Sequence, residues 1–234
     1  MISLRLPHGP GHTLAQPVAH GGIIRRVMLW CGALSSLLYA ATDLLGGLRY
    51  PGYSFTSQAI SELAAIGAPS ASFVAPLFMA YGPITVAFAV GVLREAGRNR
   101  ALRHTAVLLI AYVAVGAGFS IFPISRREAG DPVDPTGHIV VGGLIVLAML
   151  VAVGAGALAL NRRFRIYSFL TMLTIAVSGV LTFLYIPRVA AHLPTPGLGI
   201  AERINVYSMM LWVAVLAVAL LRRGATARPL RSAP

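Results

Sequence analysis

Lysine is absent from this chain of 234 residues, acidic residues number only 7, and all charged side chains together make up 11%. A soluble domain carries roughly a quarter charged residues. The polar surface is therefore too small to clothe a globule in water, and 57% hydrophobic side chains also exclude a disordered chain. A single cysteine, Cys31, excludes an intrachain disulfide and with it a disulfide scaffold. No long apolar run carries a charge at its centre, which argues against an ion-coupled transporter or a voltage sensor. The alternation of a β-barrel is missing too. What these absences leave is an all-α, polytopic membrane protein.

Six apolar runs are long enough to cross a bilayer, which takes roughly 20 residues. They cover 27–48, 72–93, 105–124, 139–160, 166–186 and 204–221. The first exceeds the apolar core of a signal peptide, about 7–15 residues, and so reads as a span. The expected organisation is a flexible cytoplasmic tail over 1–24, a six-transmembrane-helix bundle over 25–223, and a basic cytoplasmic tail over 224–234. His8, His12 and His20 in the first tail are irregularly spaced and read as solvated residues.

The net charge of +12 might suggest nucleic acid, but the distribution of arginine excludes that partner. Arg5, Arg25, Arg26, Arg94, Arg98, Arg100, Arg103, Arg162, Arg163, Arg165, Arg222, Arg223, Arg228 and Arg231 fall on one side of the spans. Only Arg49, Arg126, Arg127, Arg188 and Arg203 fall on the other. The positive-inside rule then places both termini in the cytoplasm of a multi-pass cell-membrane protein. The basic inner face is expected to attract anionic lipid headgroups. The acids sort oppositely: Glu95 lies inside, whereas Asp43, Glu62, Glu128, Asp131, Asp134 and Glu202 lie on or near the outer face.

The outer connections hold nearly all the polar chemistry. Between the first two spans, Ala59, Ile60, Leu63, Ala64 and Gly67 recur at helical spacing, with Ser57, Gln58, Ser61 and Glu62 opposite. This predicts a short amphipathic helix near 57–66, ended by Gly67 with Pro69 beyond. It either lies in the membrane interface or acts as a lid that turns Ser61 and Glu62 over the bundle. Asp134-Pro135 reads as a helix start, with His138 one turn on as a locally bonded residue, a proton carrier or a metal ligand. Glu202 and Arg203 open the last helix, where the N-terminal dipole favours negative charge. Asp43 is the one acid inside a span and has three candidate partners: Arg49, Arg203 and His138. Small residues at Ala148, Ala152 and Gly156, and at Gly116 and Ser120, read as helix–helix seams.

Several of these residues, in this order, resemble a known pattern. Tyr50-Pro-Gly-Tyr53, Ile60-Ser-Glu-Leu63, Gly118-Phe119, Phe122-Pro123, His138, Gly197-Leu-Gly199, Glu202-Arg203 and Trp212 are similar to the bacterial integral-membrane family called domain of unknown function 998. The resemblance spans about residues 27–222. A fainter likeness extends to the Frag, DRAM and Sfk six-helix membrane proteins. The family implies six helices and no settled activity. Acids that its members carry after the Gly-Tyr and Phe-Pro pairs are replaced here by Ser54 and Ile124.

The expected function is non-enzymatic: binding of a lipid, a membrane-protein partner or a second copy of the chain through an outer polar site. That site comprises Asp43, Ser61, Glu62, Asp134, His138, Glu202 and Arg203. One alternative is a membrane-embedded hydrolase of a lipid-like substrate using Ser61, Glu62, His138 and Glu202. A second is a small-solute transporter. One histidine among carboxylates is a poor zinc set, so neither a metal nor another cofactor is expected.

Overall fold

A computed structural model of the chain describes residues 18–127 and 133–226. The tail residues 1–17 and 227–234, and with them His8 and His12, lie outside the described residues, as do Glu128, Asp131 and the side chain of His20. Eight α-helices are present among the described residues: α1 (Val18–Leu48), α2 (Ala71–Ala96), α3 (Arg100–Gly116), α4 (Gly118–Ile121), α5 (Thr136–Ala157), α6 (Arg162–Leu184), α7 (Ile186–Ala190) and α8 (Leu198–Thr226). Helix α1 thus starts within the stretch assigned from sequence to the N-terminal tail. The short α4 and α7 extend α3 and α6, so the elements make six helices long and apolar enough to cross a membrane. The protein is a multi-pass, all-α membrane bundle.

Helix boundaries follow from local chemistry. Asn99 and Asn161 cap α3 and α6, their side chains accepting from the amides of Leu102 (3.1 Å) and Phe164 (3.0 Å), each replacing a bond that a helix start lacks. Gly97, at φ 47°, ends α2. Helix α5 starts at Thr136, with Asp134 just ahead of it accepting from the Thr136 amide and hydroxyl at 2.9 and 2.7 Å.

The spans form a ring. Each packs on the next in chain order, and α8 closes the ring on α1. One half of the interior is filled by fully buried Trp212, Phe88, Leu109, Met149, Met209 and Leu216. Trp212 lies against Gly156, where an added Cβ would sit 2.3 Å from its ring, and its indole N–H donates to Ser168 at 2.9 Å. The α5 seam expected from sequence is therefore a bed for an indole. Ser120, expected to continue a seam from Gly116, faces outward instead. Leu37, Leu48, Met79 and Ile121, each about two-thirds exposed or more, form part of the apolar outer surface. In a bilayer they face lipid, where exposure of apolar groups carries no penalty.

The amphipathic helix expected at 57–66 is a five-residue 3-10 turn, Ile60–Ala64. It does not present its apolar side to a membrane interface. Ile60 and Leu63 are 1% and 0% exposed, packed with Tyr50, Ala65, Ala68 and Val74 over the end of the bundle. The apolar residues that suggested an interfacial helix are the underside of a lid, but the lid differs from the one expected: Ile60 and Leu63 turn over the bundle, while Ser61 stays half-buried and Glu62 is drawn to Arg127. The helix stays short because Ala65 is extended (ψ 150°) and Gly67 takes φ 81°.

Candidate functional site

Residues 49–70 fold back as a cap over one end of the ring. The Thr56 carbonyl accepts from the amides of Gly197, Gly199 and Ile200 at 3.1, 3.0 and 3.4 Å, satisfying free donors at the start of α8. Gly199 makes this approach feasible: a Cβ there would lie 2.4 Å from the Gln58 carbonyl and 2.5 Å from that of Phe55. This is the physical role of the Gly197-Leu-Gly199 pattern. The opposite edge of the cap is held by Ile66, whose amide donates to Ile124 at 2.8 Å and whose carbonyl accepts from Arg126 at 3.1 Å.

Two forked ion pairs pin the cap. Asp43, 1% exposed on α1, receives Arg203 Nε at 2.9 Å and Nη2 at 2.7 Å. It also receives the Tyr207 hydroxyl. The rest of the guanidinium donates into the cap, to the carbonyls of Phe55 (2.7 Å) and Gln58 (3.1 Å) and to the Tyr53 hydroxyl (2.8 Å). The Tyr53 hydroxyl in turn donates to the Ala59 carbonyl at 2.8 Å. Burial holds that phenol well above the ordinary tyrosine value, with Arg203 opposing, so it serves as a neutral donor. The second fork joins Glu62, 6% exposed, to Arg127 Nε and Nη2, both at 2.7 Å. Arg127 Nη1 donates to Thr195 at 2.8 Å, and the Thr195 hydroxyl donates to the Ser57 carbonyl at 2.7 Å. Glu62 additionally receives the Ala59 amide at 2.8 Å, the back-bond of a capping box. Bidentate, charge-assisted bonds of this kind are the strong and directional ones. Where the charge left behind is fully enclosed, as at Asp43, removing its partner costs about 3–5 kcal/mol.

Glu202 completes the group differently. Its Oε2 accepts the Ile60 amide at 2.6 Å. Among the described residues it forms no ion pair, and its Oε1 neither accepts a hydrogen bond nor counts among the enclosed, unsatisfied atoms. The residue is surrounded by protein yet keeps accessible surface. Helical spacing sets it on the α8 face of Asn205, Val206 and Met209, and Asn205 and Met209 are 4% and 0% exposed. Glu202 therefore faces the interior of the ring, beneath Ile60.

The structure thus brings Asp43, Glu62, Glu202 and Arg203 together around the cap. Of the three candidate partners for Asp43, it uses Arg203. Arg49 instead lies over the Phe73 ring, 3.8 Å from its centroid. The other candidates stand apart. The half-buried Ser61 makes no side-chain hydrogen bond among the described residues. Asp134 is exposed, and its bonds to the Thr136 hydroxyl and amide hold its carboxyl below the ordinary value. His138 donates from Nδ1 to the Phe122 carbonyl at 2.9 Å and lies 4.6 Å from the Phe119 ring, which explains its local reading from sequence. No three of His, Cys, Asp and Glu among the described residues stand close enough to hold a metal ion.

Sequence reasoning gave no role to Arg127, Thr195, Tyr207 or Tyr53, the last named only within the family-like motif. Arg127 was visible only as one of five outer arginines. The excess of acids on that side was the available signal that each arginine there would be engaged. Tyr207 stands four residues after Arg203, on the same helix face.

A model of the family described as "Protein of unknown function (DUF998)" matches residues 33–219, and the chain belongs to that family. No curated protein and no solved structure matches the chain.

Proposed function

We propose that the protein is a non-enzymatic binding protein of the cell membrane that takes a lipid-like ligand at its capped, extracytoplasmic end. One observation carries this reading: the two arginine forks at the cap are spent on Asp43 and Glu62, and Glu202 forms no ion pair among the described residues. Glu202 keeps one oxygen without a hydrogen bond among the described residues. A half-buried carboxylate without a counter-ion is stabilised by any donor that reaches its free oxygen, and a ligand is the donor proposed here.

The packing of the other half of the ring by Trp212, Phe88 and Met209 favours binding over conduction. Ser61 and His138 share no hydrogen bond, so the nucleophile–base pair that a hydrolase would need is not formed between them. The orientation rests on arginine: Arg94, Arg98, Arg100, Arg103, Arg162, Arg163 and Arg165 are exposed at the end opposite the cap. That end is cytoplasmic with both termini, and it attracts anionic headgroups.

Reporter fusions at Arg98 and Arg163 test the orientation and should read cytoplasmic. For the binding role, the protein is delipidated, re-exposed to total membrane lipid and weighed by native mass spectrometry. The unaltered chain should retain a bound lipid that Glu202→Gln releases. Equal retention by both would overturn the reading.

A further inference from the structure

A groove of about 350 Å³ runs along α8 near its basic end, lined by Ala214, Val215, Val218, Ala219 and Arg222. Trp212, Val213, Leu216, Ala217 and Leu220 of the same helix are buried in the core, and helical spacing turns the groove residues to the opposite side. In a bilayer that side faces lipid. Short side chains make the hollow: the outward faces of α1 and α6 instead carry Trp30, Leu34, Phe169 and Leu173, each more than half exposed. Leu211, 58% exposed on the same side of α8, bounds one end, and the exposed Arg222 bounds the other. Ala214 and Arg222 stand about 12 Å apart along the helix axis, and the hydrocarbon of one leaflet is roughly 15 Å deep. The groove therefore spans most of a single leaflet, apolar along its length and cationic at the headgroup level.

A lipid chain and the α8 helix of a second copy are the two candidates for such a hollow, and charge separates them. Copies in one membrane share an orientation, and a two-fold contact is self-complementary. Along α8 it would set Arg222 and Arg223 against their counterparts, like charge on like. A phospholipid chain sets its phosphate at Arg222 instead, and a planar guanidinium matches phosphate oxygens. The surroundings favour a head of net negative charge. Ser36 of α1 donates to the Met210 carbonyl at 2.8 Å, which brings the exposed Arg26 of the antiparallel α1 to about the level of Arg222. Glu95, the one acidic side chain on this side of the spans, is already engaged by Arg25. A choline or ethanolamine head would add a further cation there. Building on the orientation and the headgroup attraction proposed above, we infer that α8 holds one anionic phospholipid of the cytoplasmic leaflet. An acyl chain lies along Ala214, Val215, Val218 and Ala219, and the phosphate rests on Arg222.

The test places the full chain in nanodiscs of phosphatidylcholine with a rising share of phosphatidylglycerol and counts retained lipid by native mass spectrometry. The unaltered chain should retain one phosphatidylglycerol in a saturable manner. Arg222→Gln should raise its half-saturation about tenfold or more, which is ~1.4 kcal/mol, and this dependence separates the lipid from any ligand at the cap. Ala219→Leu fills the groove without touching the charge and should weaken retention as much. Ala214→Leu should do so from the other end of the groove. Both side chains point away from the core, and an unchanged unfolding midpoint in phosphatidylcholine alone shows that the fold is intact. A response to Arg222→Gln that neither groove variant shares would overturn the site while leaving the general attraction of the basic end standing. Equal retention by all variants would overturn the site as well. A complex of two chains that the groove variants dissociate would overturn the lipid as the occupant. The discs present phosphatidylglycerol in both leaflets, so these outcomes do not depend on the orientation, which the reporter fusions read separately.

Discussion

The two halves of the ring are held by different forces. At one end the helices meet around Trp212, Phe88 and Leu109, all fully buried, and what holds them is close packing. At the other, α1, α8 and the cap meet through Asp43, Arg203, Glu62 and Arg127, and what holds them is a set of directed, charge-assisted bonds. Lipid explains the contrast. Within a bilayer, apolar side chains gain little by leaving hydrocarbon for protein, so the packed half relies on van der Waals contact and small residues such as Gly156. The capped half contains the exposed backbone of a long connection, which needs donors and acceptors. Arginine and carboxylate side chains supply them, and they give that end a defined shape that packing alone would not impose.

The largest expected effect breaks the capped half. Arg203→Met leaves Asp43 buried without its cation, and stability should fall by about 3–5 kcal/mol. Adding Asp43→Asn to that variant should recover part of the loss, since the uncompensated charge is then gone. Chemical unfolding in a mild detergent reads both. Phe88→Ala in the packed half should cost less, about 2 kcal/mol, because the cavity term remains while the transfer from water that raises the cost in soluble cores does not apply. A larger loss at Phe88 than at Arg203 would reverse the comparison. Glu62→Gln should cost about 1.5 kcal/mol, the low end for hydrogen bonds to charged groups, because the Arg127 side chain is 24% exposed and is not left as an enclosed charge. Arg127 keeps Thr195, and the amide still accepts from Ala59. Limited proteolysis within residues 49–70 should accelerate in this variant and stay unchanged in Phe88→Ala. Arg49→Ala, which removes a cation over the Phe73 ring at the rim, should cost only about 0.5–1 kcal/mol.

The same contrast decides how much the sequence revealed. Spans are read from apolar length, and all six appeared where they were expected. Lipid imposes that pattern on every residue of a span, so the signal is redundant. The cap offered no such redundancy. Ile60, Leu63 and Glu62 carried a genuine amphipathic pattern, but periodicity does not say what covers an apolar face. Here the bundle covers it. Arg127 and Glu62 are 65 positions apart, as are no two residues that local spacing can relate, and Asp43 and Arg203 are 160 apart. Asp43, Glu62, Glu202 and Arg203 stood out because charge is rare in this chain. His138 and Asp134 stood out for the same reason, yet they serve the local geometry of α4 and α5. Rarity marked the polar residues without saying which of them meet.

The central claim is that two of the three acids at the cap are engaged by arginine and the third is open. Carboxylate labelling of the folded protein tests it most directly, with a water-soluble carbodiimide and a small amine, followed by peptide mass spectrometry. Exposed Asp134 serves as the fully reactive reference. The account predicts clear modification at Glu202 and little at Asp43 or Glu62. Modification of Asp43 or Glu62 ahead of Glu202, or a Glu202 as inert as Asp43, would contradict it.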